Sequence, residues 1–241
     1  MAQENGGAGA FRLRGQPRRL ESVVLVPPEQ AREVPVVAEF RSEKHTAQPL
    51  AIAKPIGFAG LRVRLKFPRN TPPGSYEGMV RIGTSEFKMV AEVDAEPHLD
   101  LVPSHLLLAA APDSEATVEL TAVNDGNAPF EIRNAHGFGL FAIGGVENAL
   151  GAAYREALCG GQERWNIFGD KLAESHGGLV RVQVQHGAGE LGPDQMRSLA
   201  LRLKFPDNLK PGNTYTGTFR LHNARCVFRV EVPRKTGEEI R

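Results

Sequence analysis

The sequence RLKFPRNTPPGSYEGMVRI at residues 64–82 returns as RLKFPDNLKPGNTYTGTFRL at residues 202–221. With one residue inserted before the tyrosine, the two stretches share Arg, Leu, Lys, Phe, Pro, Asn, Pro, Gly, Tyr, Gly and Arg in the same order. Self-similarity at so long a spacing indicates two copies of one domain rather than a solenoid of short units. A chain of 241 residues has room for two domains of ordinary size.

Each copy of the repeat has the pattern of a strand, a turn and a second strand. Residues 61–67 alternate apolar and charged side chains, the period-two pattern of a strand with one buried face. Turn-forming residues at 68–74 lead into a second alternating stretch at 76–82, and a third strand follows at Phe87–Val93. The second copy repeats the pattern at 199–205, 215–221 and 226–232. With about seven short strands in each half, this pattern is typical of an immunoglobulin-like sandwich.

We therefore predict an all-β protein of two tandem immunoglobulin-like β-sandwiches, the second with a helical insertion. The predicted organisation is a flexible N-terminus at 1–10, a first domain at 11–95, a second domain at 96–234 with an insertion at 138–178, and a flexible C-terminus at 235–241. The composition fits, because 41% apolar and 24% charged residues are a normal mixture for a chain that buries a core.

Three short features have structural interpretations. Asn124–Asn127, an Asn-Asp-Gly sequence between two apolar runs, predicts a hairpin that joins strands at 117–123 and 130–133. Tyr76 and Tyr215 follow Pro-Gly turns, and we expect each to bury its ring while its hydroxyl bonds backbone in the preceding corner.

The chain has two cysteines, Cys159 and Cys226. Their pairing in a disulfide cannot be read from the sequence. Cys226 takes an inward position in the alternation of its strand, which favours a buried thiol that behaves as a small hydrophobic residue.

The run LDLVPSHLLLAAAPDSEATVELTAVNDGNAPFEI at Leu99–Ile132 has a proline-containing first strand and an Asn-x-Gly-Asn-x-Pro turn. It resembles the opening of the immunoglobulin-like domains of the major sperm protein and Hydin type and of related bacterial envelope domains. The Pro-Gly-x-Tyr-x-Gly block is similarly common among bacterial immunoglobulin-like modules. The resemblance implies a non-enzymatic interaction or assembly module of the bacterial cell envelope, periplasmic or secreted, with a cytoplasmic location as the alternative. The first half lacks this turn, so we expect its N-terminal strands to be rearranged.

The copies differ most at residues 138–178. Apolar residues recur at three- and four-residue spacing over 146–157, which predicts an amphipathic helix that ends near Gly160. A long insertion on a rigid sandwich is where function tends to lie. The insertion is the candidate partner-binding segment, and its candidate residues are Tyr154, Trp165 and Phe168. The structural alternative is that the helix caps an open end of the sandwich and Trp165 completes its core.

No catalytic, cofactor-binding or metal-binding residue is predicted, and we interpret the protein as not an enzyme. Residues 137–142 match the G-x-G-x-x-A dinucleotide pattern, with Glu163 about 20 residues further on. That fingerprint needs a parallel βαβ unit, and the flanking sequence is typical of an antiparallel sandwich. The seven histidines lack the spacing of zinc ligands, and there is no G-x-S-x-G nucleophile motif.

The resemblance implies a protein partner, and the charge pattern argues against nucleic acid. The net charge is +1, and the basic stripes of the two copies have no interleaved aromatic residues. These stripes are Arg62, Arg64 and Lys66 in the first copy and Arg202 and Lys204 in the second. We interpret them as solvated sheet faces and as edge protection by charge. No apolar run reaches about 18 residues, so no membrane insertion is expected, and the oligomeric state stays open.

Two other functions remain as alternatives. A periplasmic pilus-type chaperone is also built from two immunoglobulin-like domains and lends an exposed strand to its client. Phe87–Val93 would be that strand here. A carbohydrate-binding or adhesion module would instead use Tyr154 and Trp165 as stacking platforms.

Overall fold

The structure is a computed structural model that describes residues 10–30, 32–57, 60–156 and 161–234. It divides into two compact units. The first unit contains the residues up to His98 together with 124–130 and 192–195, and the second contains the remainder. Apart from residue 10, the termini that we predicted to be flexible lie outside the described residues, as does Cys159.

Nine strands build the first unit. They are β1 (Phe11–Gly15), β2 (Leu20–Leu25), β3 (Val36–Val37), β4 (Phe40–Arg41), β5 (Thr46–Ala47), β6 (Leu50–Ile56), β7 (Gly60–Lys66), β8 (Gly74–Ile82) and β9 (Ser85–Val93). One sheet has the order β1-β9-β8-β4-β5, with β3 also on β8, and the other has the order β2-β7-β6. Strand β1 pairs with β9 in parallel, whereas β8 and β9 form an antiparallel hairpin.

The described residues of the second half form ten strands and two helices. They are β10 (Leu99–Val102), β11 (His105–Ala109), β12 (Glu115–Asn124), β13 (Phe130–Ile132), β14 (Ala135–Ala142), α1 (Gly145–Glu156), α2 (Gly161–Glu174), β15 (His176–His186), β16 (Gly189–Leu191), β17 (Gln195–Lys204), β18 (Thr214–Leu221) and β19 (Ala224–Glu231). Eight of the strands form the path β10-β12-β17-β15-β14-β18-β19-β11, and β13 pairs with β16.

The strand orders of the two units correspond. The path β1-β9-β8-β4 matches β11-β19-β18-β14, and β2-β7-β6 matches β12-β17-β15. In both units an early strand pairs in parallel with the last strand. Both units are immunoglobulin-like β-sandwiches, and the second carries a helical insertion, which confirms the predicted fold class. The N-terminal strands of the first unit keep the same order, so the expected rearrangement was wrong.

The tyrosine and glycine that the two copies of the repeated block share lie in the cores of the two units. Tyr76 and Tyr215 are each 1% exposed. The Tyr76 hydroxyl donates to the carbonyl oxygen of Pro72 at 2.8 Å, and the Tyr215 hydroxyl accepts from the backbone N–H of Lys210 at 3.0 Å. These bonds to the preceding corner confirm the structural role that we predicted for both tyrosines.

The glycine two residues after each tyrosine makes room for a phenylalanine ring. A Cβ atom on Gly78 would lie 2.4 Å from a ring carbon of Phe40, and one on Gly217 would lie 2.6 Å from a ring carbon of Phe138. Both distances are far below van der Waals contact, so each ring packs directly on bare backbone. Phe40 and Phe138 therefore occupy equivalent core positions on β4 and β14.

The predicted hairpin at Asn124–Asn127 was wrong. Strand β12 lies between β10 and β17, and β13 pairs with β16 instead. The Asn127 side chain is buried inside the first unit, where its Nδ2 donates to the carbonyl oxygens of Thr71 and Asp94 at 2.8 and 3.1 Å. Its Oδ1 accepts from the backbone N–H of Glu96 at 2.6 Å. The asparagine thus satisfies buried backbone groups of an irregular segment, a use that local turn statistics do not reveal.

The strand proposed for donation to a client, Phe87–Val93, is paired on both edges from Met89 to Val93. It lies within β9, which pairs with β8 on one side and with β1 on the other. The dinucleotide-like sequence at 137–142 is also a strand, because it lies in β14 between β15 and β18. Its glycines therefore lie within a paired strand and not in a loop against a helix N-terminus, as a phosphate-binding loop would require.

Candidate functional site

The helical insertion begins and ends at one place on the second unit. Helices α1 and α2 follow β14 and precede β15. The backbone N–H of Ala142 donates to the carbonyl oxygen of Ser175 at 2.8 Å. A Cβ atom on Gly145 would lie 2.6 Å from the Ser175 Cβ, so the first residue of α1 packs closely against the end of α2. The paired strands β14 and β15 therefore hold both ends of the helical hairpin that α1 and α2 form.

Small residues form the packed face of α1. The buried residues of this helix are Gly145, Ala149, Ala152 and Ala153, and α1 packs on α2. Alanine favours the helical conformation and lets two helices approach closely. The buried positions of α1 are therefore all small residues.

The larger apolar side chains of α1 are exposed. Val146 is 56% exposed, Leu150 is 47% exposed and Tyr154 is 64% exposed. Residues four apart lie on one face of a helix, so these three side chains form a single stripe. The sequence pattern grouped this stripe with the alanines as the apolar residues of one amphipathic helix, and the structure separates the exposed stripe from the buried alanines.

Helix α2, which the sequence did not predict, adds an exposed aromatic side chain. Trp165 is 68% exposed, and its ring meets the Phe168 ring edge to face with the centroids 5.9 Å apart. The guanidinium carbon of Arg164 lies 4.8 Å from the centroid of the Tyr154 ring, an arrangement typical of a cation–π contact. This contact places the beginning of α2 next to the end of the α1 stripe. The alternative in which Trp165 completes the core was wrong.

We call the exposed side chains of Val146, Leu150, Tyr154 and Trp165 the hairpin surface. Two of the three candidate residues, Tyr154 and Trp165, belong to it, and Phe168 is half-buried beside Trp165. Sequence reasoning missed Val146 and Leu150 as exposed residues. The alanines could have indicated this exposure, because a cluster of small residues marks the side of a helix that packs closely on another helix and leaves the larger side chains on the other side.

Exposed apolar side chains continue at the base of the hairpin. Ile143 is 53% exposed and Phe141 is 51% exposed, and the Phe141 ring lies edge to face with His176 at 5.0 Å. An open pocket of about 330 Å³ lies beside Ile143 and is also lined by Asn148 and Thr214. The apolar surface of the second unit thus extends from the helices onto the sheet below them.

Of the two cysteines, Cys226 lies within the residues that the structure describes, and its environment keeps it in the thiol form. Its side chain is fully buried and free, as predicted. Burial raises the pKa of Cys226 to about 11, because a thiolate loses its hydration in the core. A thiol of this kind is a poor nucleophile at neutral pH. None of the described helices is long and apolar enough to span a bilayer.

Comparisons with known proteins give no family for this chain. No family model and no curated protein match it. Among solved structures it is similar to domains 4 and 5 of the S-layer protein SbsC, with 14% identity and a TM-score of 0.29 over 71% of this chain and 62% of that one. It is also similar to the titin fragment Titin-A168169, with 7% identity and a TM-score of 0.26 over 93% of this chain and 96% of that one. A third similar structure is Dpr11 IG1 bound to DIP-gamma, with 10% identity and a TM-score of 0.29 over 94% and 97% of the two chains.

These scores are too low to carry an argument about function. The chain spans 62% of the SbsC fragment's length, so it matches only part of that structure. The immunoglobulin-like assignment is carried by the strand order of the two units.

Proposed function

We propose that this chain is a non-enzymatic protein-interaction module that binds a partner protein through the hairpin surface. The observation that carries the proposal is the exposure of Val146, Leu150, Tyr154 and Trp165 on a helical hairpin that the first unit lacks. Contiguous exposed apolar side chains mark interaction sites, because leaving them in water costs free energy that binding recovers.

The composition of the surface supports a protein partner. Tryptophan, tyrosine and arginine are enriched at the energetically dominant positions of protein interfaces. Here Arg164 holds the Tyr154 ring from one side, and Trp165 is the next residue of the same helix. Pre-ordering of this kind lowers the entropy lost when a partner binds. The partner segment that fits is one with an apolar face, such as an amphipathic helix.

The cellular setting that we propose is the bacterial cell envelope, in the periplasm or outside the cell. The support is the resemblance of Leu99–Ile132 and of the two Pro-Gly-x-Tyr-x-Gly blocks to bacterial envelope modules. Fold resemblance alone does not transmit function. Fractionation of cells that produce the full-length protein tests the location, and recovery in the cytoplasm would contradict it.

A carbohydrate-binding role is the second candidate, because two exposed aromatic rings favour it. Tyr154 is 64% exposed and Trp165 is 68% exposed, and flat exposed rings stack on sugar rings. The pilus-type chaperone has less support, since β9 is paired on both edges.

The test is affinity capture with matched variants. The immobilised chain is incubated with an extract of the producing organism, and the captured proteins are quantified by mass spectrometry. In the Tyr154→Ser/Trp165→Ser variant we expect the specific partner to bind roughly 1,000-fold more weakly, because truncation of each interface aromatic costs about 2 kcal/mol.

The control is the Leu107→Ser/Met196→Ser variant, which removes two side chains of similar exposure from strands of the sandwich. Leu107 is 63% exposed and Met196 is 74% exposed. Equal capture by both variants would overturn the hairpin surface as the site. Loss of glycan-array binding in the Tyr154→Ser/Trp165→Ser variant, with protein capture unchanged, would favour the carbohydrate alternative.

A further inference from the structure

The three-stranded sheet of the first unit presents four cations on its outer face. Strand β7 pairs with β2 on one side and with β6 on the other, and the registers place their outward side chains in rows. One row is Val23, Arg62 and Lys54. The next row is Glu21, Arg64 and Ile52, and Lys66 lies opposite Leu50. We call this surface the basic face.

Most of the positive charge on the basic face is not neutralised. Glu21 forms an ion pair with Arg64. In the described part of the chain, Lys54, Arg62 and Lys66 make no ion pair. Lys54 and Arg62 are directly opposite on adjacent strands. Like charges in this position repel and destabilise the pairing, and a bound anionic group would relieve that repulsion.

The equivalent face of the second unit is balanced differently. Arg202, the counterpart of Arg64, pairs with Glu115 at 2.5 Å. Lys204, the counterpart of Lys66, pairs with Asp113 at 2.9 Å. The counterpart of Arg62 is Ala200, by the alignment of the two copies. Arg181, directly opposite Lys204, makes no ion pair within the described residues, so this face keeps one unpaired cation where the basic face keeps three. The larger unneutralised cluster therefore belongs to the first copy.

Exposed apolar side chains surround these cations. Leu25 is 70% exposed, Leu50 is 64% exposed, Val23 is 46% exposed and Ile56 is 39% exposed. A sheet face that contacts only water would be expected to carry polar side chains at these four positions. Their presence favours a ligand that has apolar groups as well as negative charge.

We propose that the basic face binds an extended acidic segment of a partner protein, with Glu or Asp side chains alternating with aliphatic ones. Charge complementarity selects the sign of the ligand, and the alternating rows fit the two-residue period of an extended chain. A single-stranded nucleic acid would use aromatic stacking platforms, and the described residues of these rows contain none. The site is separate from the hairpin surface, so it stands or fails independently of it.

The test uses a short fluorescein-labelled peptide of alternating Glu and Val and follows its fluorescence anisotropy at low and high salt. We expect saturable binding that weakens with salt, because exposed charges are screened. In the Lys54→Gln/Arg62→Ala variant we expect a loss of roughly tenfold or more in affinity. The alanine at position 62 is the residue that the second copy carries at the equivalent place. Leu25→Gln is expected to weaken binding even at high salt.

The matched control is Arg220→Gln/Arg225→Gln. These two cations are also directly opposite, on β18 and β19, and the described residues of those strands include no exposed large apolar side chain. The control removes the same charge and should bind the peptide as the unaltered chain does. Equal weakening in both variants would overturn the proposal, as would equal binding of a Lys-Val peptide. Tighter binding of oligothymidylate or of phosphatidylserine vesicles than of the acidic peptide would also overturn it.

Discussion

The two units differ in the segment that connects two equivalent strands. Between the equivalent strands β4 and β6 the first unit has only the short β5, whereas between β14 and β15 the second unit has two helices. The strands before and after the connection keep the same order in both units. The difference shows that the sandwich tolerates a large insertion at this point, because the ends of β14 and β15 are already paired and hold its base.

The units also differ in what they expose. The second presents apolar side chains on helices, and the first presents a mixture of cations and apolar side chains on a sheet. Their cores use the same devices, a corner tyrosine and a glycine beneath a phenylalanine ring. The two copies therefore share their core residues and differ in their exposed surfaces. If the cores are equivalent, the same substitution in each should change the free energy of unfolding by a similar amount.

The largest expected effect comes from filling the space beneath the rings. A Cβ on Gly217 would lie 2.6 Å from Phe138 and also 2.7 Å from the carbonyl oxygen of Gly139, whereas on Gly78 the nearest atoms belong to the Phe40 ring. A ring can rotate away more easily than backbone can shift, so we expect Gly217→Ala to cost about 3 kcal/mol and Gly78→Ala about 2 kcal/mol. Urea unfolding of the two variants measures the difference.

The control for these substitutions is Gly169→Ala. Nothing lies within 4 Å of a Cβ at that position in α2. The change should leave stability equal or raise it by up to about 1 kcal/mol, because alanine is the better helix former. Equal losses at Gly78 and Gly217 would show that the ring alone, and not the Gly139 backbone, sets the cost.

A smaller effect is expected at the two corners. Tyr76→Phe removes a donor to the Pro72 carbonyl, and Tyr215→Phe removes the acceptor of the Lys210 N–H. We expect each change to cost about 1 kcal/mol in the free energy of unfolding, with the larger loss at Tyr215, where a partly buried N–H is left without its acceptor. Thermal unfolding of the two variants checks this. A loss at one corner only would mean that the two tyrosines are not equivalent.

The smallest effect is a difference in the response to alkaline pH. Burial raises the pKa of Cys226 from 9.0 to about 11, so the folded second unit keeps a proton that the unfolded chain loses. The contribution of this burial to stability is therefore complete below pH 9 and is lost progressively as the pH rises from 9 towards about 11. Burial, opposed by a hydrogen bond from Ser42, also raises the pKa of Tyr76 above 10.0, so the first unit should respond at higher pH.

The pH experiment has an internal control. Cys226→Val should remove the loss of stability that comes from the cysteine and leave the loss that comes from Tyr76, which is unchanged. An apolar residue suits this position, because its counterpart in the first unit is Phe87. Unfolding curves at pH 8, 10 and 11 measure the stability of the unaltered chain and of the Cys226→Val variant. An unchanged decline in Cys226→Val would show that other groups cause it.

The sequence predicted the parts of the fold that depend on alternation and on local turns. The repeated block placed Tyr76, Tyr215 and Cys226 in their core positions, because burial on a strand follows a two-residue period. It missed α2, whose sequence GQERWNIFGDKLAE contains an internal glycine and few apolar residues. Such a helix is stabilised mainly by packing on α1, and packing between segments is not a local property.

The candidate site was only partly predictable for the same reason. The insertion was recognised because it interrupts the repeat, and two of the three aromatic residues proposed there, Tyr154 and Trp165, are exposed. The orientation of α1 was not recognised, since Val146 and Leu150 have the spacing of a buried face. Asn127 shows the same limit, because its amide bonds backbone at Thr71, Asp94 and Glu96 and not the turn in which it lies.

The parallel pairing of β1 with β9 has a mechanical consequence. These are the first and the last strand of the first unit, and they are in register from Phe11 opposite Met89 to Gly15 opposite Val93. A pull applied at Phe11 and at Val93 in opposite directions therefore loads the hydrogen bonds between the two strands together and along the strand axis. Bonds in this arrangement must break as a group, whereas an antiparallel pair pulled at its open end separates one bond at a time. A unit built in this way resists tension along the chain.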